Sequence, residues 1–155
     1  MIVLGTALLI ACNRSQPACD GSGSARSLAT WELGIQAPDS VRRGDSVTFA
    51  LILKNVGDSA IDPQLGEGNQ DFKVTRAGDT TEIWSKLHGA QILMGSQLKK
   101  TFAPGDSIRI AYRWDQVGND RKPLRPGVYC VSGDLSRQEG MESLRTGTAT
   151  LHIVR

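Results

Sequence analysis

From Thr30 to Ala37 the chain alternates strictly, with Trp31, Leu33, Ile35 and Ala37 on one side and Thr30, Glu32, Gly34 and Gln36 on the other. A period of two sends successive side chains to opposite faces of an extended backbone, so this segment predicts a half-buried β-strand. Ser46 to Lys54 repeats the pattern with Val47, Phe49, Leu51 and Leu53, and here Ala50 and Ile52 suggest that the second face is covered too. Asp71–Arg76 places Phe72 with Val74, Glu82–Leu87 carries Ile83 and Trp84, and Ser107–Trp114 sets Ile108, Ile110, Tyr112 and Trp114 against Arg109, Ala111 and Arg113. Gly127–Leu135 and Thr146–Val154 complete the series, the last rich in β-branched residues. No segment carries a convincing helical period.

Between these runs lie Arg43-Gly44-Asp45-Ser46, Ala77-Gly78-Asp79, Ala103-Pro104-Gly105-Asp106 and Arg125-Pro126-Gly127. Each is a turn with a physical cause. Proline presets the first central dihedral, glycine accepts a positive φ, and aspartate closes a turn on neighbouring backbone. With 155 residues, 39% hydrophobic and 22% charged, the chain has the length and composition of about one globular domain. Seven or eight short strands at this spacing predict an all-β fold, an immunoglobulin-like antiparallel β-sandwich over residues 28–155. Trp31, Phe49, Phe72, Trp84, Phe102, Tyr112 and Trp114 are its expected aromatic core.

Residues 1–11 are uncharged and apolar and end at Cys12, after which the chain turns polar. Eleven residues rise only ~16 Å as a helix, about half the hydrocarbon core of a bilayer, so the stretch reads as an export signal rather than a span. Leu9-Ile10-Ala11-Cys12 resembles a bacterial lipobox. That resemblance implies lipidation of the Cys12 thiol, cleavage before it, and anchoring by acyl chains at ~0.8 kcal/mol per buried methylene. The expected location is the bacterial cell envelope, outside the cytoplasm, with the membrane as one partner. Residues 13–27, rich in Ser and Gly, read as a flexible tether of about 20 Å end-to-end distance. Cys19 falls in this tether and Cys130 in a predicted strand; a small buried thiol is the expectation for Cys130, with a bridge to Cys19 as the alternative.

A set of landmarks runs from Asp45 to Ser136: a strand ending Lys54-Asn55, then Asp71-Phe72-Lys73-Val74, Ile83-Trp84-Ser85, Ala103-Pro104-Gly105-Asp106-Ser107, Trp114-Asp115 and Leu124-Arg125-Pro126-Gly127-Val128-Tyr129. Their order resembles the BsuPI-type intracellular proteinase inhibitor domain family. The resemblance implies a β-sandwich and, from the family's characterised member, inhibition of a serine proteinase. Its motif is mostly scaffold and transfers no inhibitory residue. The export signal and Ile92-Leu93-Met94, where an aromatic residue is expected, depart from the family pattern.

Net charge is +2, from 18 basic and 16 acidic residues of dispersed sign, so there is no electrostatic footprint for nucleic acid. Two histidines, His88 and His152, come without a nucleophile motif, so no Ser-His-Asp arrangement is expected and the chain reads as no enzyme. Cys19, Cys130, His88 and His152 lack zinc-ligand spacing. Asp115, Asn119 and Asp120 offer too few oxygens for Ca²⁺ and read as a polar turn. No cofactor or metal is expected.

The segment Gln116–Pro126 is long and basic, with Arg121, Lys122, Leu124 and Arg125 expected to be available to a protease cleft if the loop is rigid; the bland alternative is a solvated hairpin loop. Leu87 to Leu98 is a second candidate surface. The expected function is a lipid-anchored, extracytoplasmic binding module that acts as a proteinase inhibitor, or else a structural or accessory component of an envelope assembly.

Overall fold

The computed structural model describes residues 19, 26–28, 30–62, 64–66, 69–90, 97–135 and 144–155. Cys12, nearly all of the predicted tether and Ile92-Leu93-Met94 lie outside these described residues. In chain order the strands are β1 (Arg26–Leu28), β2 (Trp31–Gln36), β3 (Ser40–Arg42), β4 (Val47–Asn55), β5 (Gln64–Gly66) and β6 (Gln70–Arg76). They continue with β7 (Glu82–Ser85), β8 (Gln97–Lys99), β9 (Ser107–Trp114), β10 (Gly127–Leu135), β11 (Leu144–Arg145) and β12 (Ala149–Val154). Among the described residues no helix is long and apolar enough to cross a membrane.

Two sheets form the body. One has the order β1-β2-β4-β9 and the other β3-β12-β10-β6-β7, with β11 beside β10 and a separate β5-β8 ladder. All pairings are antiparallel except β3 with β12, which run parallel because the chain leaves β2 in the first sheet and enters the second at its edge. The architecture is an immunoglobulin-like β-sandwich.

Alternation becomes packing where the two inner faces meet. Trp31, Leu33, Ile35, Val47, Phe49, Leu51 and Leu53 from the first sheet meet Phe72, Val74, Trp84, Tyr129, Val131, Leu151 and Ile153 from the second. Phe49 lies 5.4 Å from Trp114 and 6.3 Å from Phe72, ring centre to ring centre, and Trp84 lies 5.4 Å from Trp114. Side chains of this size stabilise by about 1.5–3 kcal/mol each on burial. Tyr112, expected in the core, is only half-buried because β9 is the free edge of its sheet. The outer face of β4 is likewise only partly covered: Ala50 is buried, whereas Ile52 is half-buried and Thr48 exposed.

At Gly133 in β10 the sheets approach so closely that a Cβ would collide with the Leu51 side chain across the core. The end at which β10 begins is fixed differently. The Tyr129 hydroxyl donates to the Arg125 carbonyl at 2.7 Å, the tyrosine-corner arrangement of immunoglobulin-like sandwiches. At the far end Asn55, fully buried, donates through Nδ2 to the carbonyls of Ser59 and Phe102 and accepts from the Gly57 N–H.

Three of the turns form as their composition demands. The N–H groups of Asp45, Asp79 and Asp106 donate back three residues to Arg42, Arg76 and Ala103, and Gly44, Gly78 and Gly105 take the positive φ at the third position.

The cysteines overturn the buried-thiol expectation: Cys19 and Cys130 form a disulfide with Cα atoms 5.5 Å apart. Cys130 alternates with the inward Tyr129 and Val131, so its side chain lies on the outer face of the second sheet, where a segment from before β1 can reach it.

Candidate functional site

The connection from β9 to β10, residues 115–126, is held by its own hydrogen bonds and by both neighbouring elements. Within it, the N–H groups of Gly118, Arg121 and Leu124 donate to the carbonyls of Lys122, Gly118 and Gln116, and Trp114 Nε1 donates to Val117. Toward β7, the Asn119 N–H donates to Ile83 and the Ser85 N–H to Asn119 Oδ1. Gln116 and Arg121 both sit at φ 61°, in the left-handed region that non-glycine residues rarely enter. Such conformations persist only where surrounding contacts over-determine them.

Gln116 supplies those contacts. Its side chain is 1% exposed. Nε2 donates at 2.7 Å to both the Arg42 and Asp45 carbonyls, and Oε1 accepts from the Gly44 N–H at 3.2 Å. A primary amide carries donors and an acceptor at one tip, which lets one side chain hold both sides of a turn. The β3–β4 turn and the β9–β10 loop are thereby joined. The Arg43 N–H donates to Val154 at 2.8 Å and ties the same turn to the end of β12.

The predicted loop residues separate into two groups. Arg121, Lys122 and Arg125 are exposed, with Lys122 Nζ 3.3 Å from Asp120. Leu124 is not available to a cleft: it is 6% exposed and belongs to the core. Its N–H closes the loop on Gln116, and its side chain packs inward, where burial is worth about 2 kcal/mol. Gln116 went unrecognised as an organising residue because nothing local distinguishes it from any polar loop residue.

The loop's oxygens are already used. Asp115, Asn119 and Asp120 accept from the N–H groups of Val117, Ser85 and Lys122. The Lys122 N–H, followed by its side chain, holds the exposed Asp120 carboxyl below the ordinary 3.8; Thr81 does the same for Asp79. Among the described residues no group of three His, Cys, Asp or Glu side chains could hold a metal ion. His88 is exposed, 4.0 Å from Glu82, and His152 lies on β12 opposite Val128, so the two serve different elements.

Beside the loop an open groove of about 680 Å³ is lined by Arg43, Arg125, Pro126 and Arg155. It gathers residues from the β3–β4 turn, the start of β10 and the end of β12.

No protein-family model and no curated protein sequence matches the chain. Among solved structures, a β-glucosidase from Erythrobacter marinus is similar at 16% identity and a TM-score of 0.48, covering 81% of this chain and 15% of its own. A mutant β-glucosidase from Listeria innocua in complex with laminaribiose matches at 12% identity and a TM-score of 0.46, over 86% of this chain and 17% of its own. The chain thus spans less than a fifth of each glucosidase. The CARDB domain of a Pyrococcus furiosus protein is similar over 82% of this chain and 98% of its own, at 15% identity and a TM-score of 0.41.

Proposed function

We propose that this chain is a noncatalytic, extracytoplasmic binding module, anchored by lipid on Cys12, that meets its partner with the 115–126 loop. The observation that carries the reading is the combination at that loop: a backbone hydrogen-bonded along its length and pinned through Gln116, with Arg121, Lys122 and Arg125 left exposed. A surface already in its bound shape loses less conformational entropy on association. The Cys19–Cys130 bridge supports a compartment outside the reducing cytoplasm, since such bonds form and persist in oxidising environments. The lipobox-like Leu9-Ile10-Ala11-Cys12 supports the anchor.

Within this reading, the resemblance to BsuPI-type inhibitors makes a serine proteinase the first partner to test, with Arg121-Lys122 as the pair offered to a cleft that prefers basic side chains. The test incubates the full chain with a panel of serine proteinases. The expected result is slowed hydrolysis by at least one trypsin-like member at micromolar concentration, relieved by Arg121→Ala with Lys122→Ala. No slowing across the panel removes the inhibitor reading. In-cell cross-linking from the same loop then tests the alternative, an accessory role in an envelope assembly, for which a recurrent complex is expected and monomer alone is contrary.

A further inference from the structure

We propose that the groove lined by Arg43, Arg125, Pro126 and Arg155 is a binding site for a phosphate ester. It goes beyond the loop reading and requires neither the lipid anchor nor a proteinase.

The first support is charge left uncompensated. Several cations elsewhere are paired: Lys73 with Asp134 at 2.7 Å, Arg145 with Asp134 at 2.9 Å, and Lys122 with Asp120. Among the described residues, none of Arg43, Arg125 and Arg155 is in an ion pair with a carboxylate. Asp115 and Asp120 accept from their own loop, and the exposed Asp45 lies two residues from Arg43 and outside the groove lining. Three arginines lining one concavity repel one another, and a bound anion relieves that repulsion.

The second support is rigidity. Arg43 stands on the glycine turn that Gln116 holds and is bonded through its N–H to Val154; Arg125 is fixed through its carbonyl by the Tyr129 hydroxyl. Gly127, two residues beyond Arg125, is paired with Ile153 two residues before Arg155, which sets the two strand ends side by side. The side chains therefore start from bonded backbone of three adjoining elements, so less chain entropy opposes their convergence.

The chemistry follows from number and shape. One carboxylate is satisfied by one arginine fork, whereas a phosphate monoester carries about −1.5 to −2 charge and three strong acceptor oxygens, which suits several planar forks at once. The groove is far larger than one phosphate, and Pro126 gives it an apolar wall, so the group it fits is a phosphate carried on a small organic body. A phosphatidic acid headgroup and a soluble sugar or glycerol phosphate share that chemistry.

The test titrates the full chain with sn-glycerol 3-phosphate, inorganic phosphate and acetate at constant ionic strength, by calorimetry. Glycerol phosphate is expected to bind at least ten-fold more tightly than acetate. Arg43→Ala with Arg125→Ala should remove that preference, and Arg125→Lys should weaken it several-fold, since lysine keeps the charge and loses the fork. Both arginines are exposed, and circular dichroism of each variant verifies folding. A second arm compares partition onto phosphatidylcholine vesicles with and without phosphatidic acid. An arginine-dependent gain with phosphatidic acid assigns the headgroup as the source; equal partition with retained glycerol phosphate binding assigns a soluble ester. Equal affinity for acetate and glycerol phosphate, or a preference that survives the double substitution, overturns the proposal.

Discussion

Gln116 donates from Nε2 to the Arg42 carbonyl at 2.7 Å across 74 residues of sequence, and this bond joins the turn after β3 to the loop after β9. The same nitrogen reaches Asp45, so one amide ties the exposed basic loop to both sides of the β3–β4 turn. Gln116→Ala leaves the Asp45 carbonyl and the Gly44 N–H without their partner and removes one of the two donors to the Arg42 carbonyl. A loss of about 2–3 kcal/mol is expected, read as a lower urea midpoint, with faster amide exchange at Gly118, Arg121 and Leu124.

Arg121 allows binding to be separated from folding. Its φ of 61° is a glycine-favoured conformation, so Arg121→Gly should leave the chain no less stable while removing an exposed guanidinium. Thermal unfolding should be unchanged or slightly later, and any proteinase inhibition should weaken. A clear fall in melting temperature would mean that the guanidinium supports the fold.

The Cys19–Cys130 bridge closes a loop of 111 residues, which in the chain-entropy model stabilises by about 4–5 kcal/mol. Cys130→Ser, or reduction of the parent chain, should lower the melting temperature by many degrees, and reductant should have no further effect on the variant.

Asp120 gives a signed dependence on pH. Its carboxyl titrates lower in the folded chain than in the unfolded one, chiefly because the Lys122 N–H donates to it. Its contribution is present above the unfolded value near 3.8 and is lost as pH falls through the lower folded value. Proton-resolved titration should place Asp120 below 3.8, and Asp120→Asn should flatten the acid limb of the stability curve.

Gly133→Ala tests the closeness of the sheets. The added methyl meets Leu51 across the core, and overpacking of this kind costs about 1–3 kcal/mol. Leu51→Ala in the same chain should recover part of that loss, because it vacates the space the methyl needs.

The long strands were legible in sequence because their signal is local. Ser107–Trp114 and Gly127–Leu135 occupy the predicted bounds, and β2, β4 and β6 differ by one residue at one or both ends. β3 and β11 were not legible, being two or three residues long with no period of their own; β3 forms by pairing with the distant β12 and β11 by pairing with the end of β10. The cysteine pairing depends on the path by which Cys19 reaches the outer face of β10, which no spacing encodes. Leu124 carried a usable signal, a lone large apolar residue among charged and turn residues, which buries more readily than it serves as a contact. Gln116 carried none, since its role exists only once Arg42 and Asp45 are brought beside it.

Intact mass measurement of the native chain from the membrane fraction, with and without reductant, is the most direct test of an extracytoplasmic, lipid-anchored module stapled between Cys19 and Cys130. The expected species begins at Cys12, carries a diacylglyceryl group there, and takes up alkylating reagent at Cys19 and Cys130 only after reduction. A cytosolic chain that retains Met1 and is alkylated at both cysteines without reduction would contradict it.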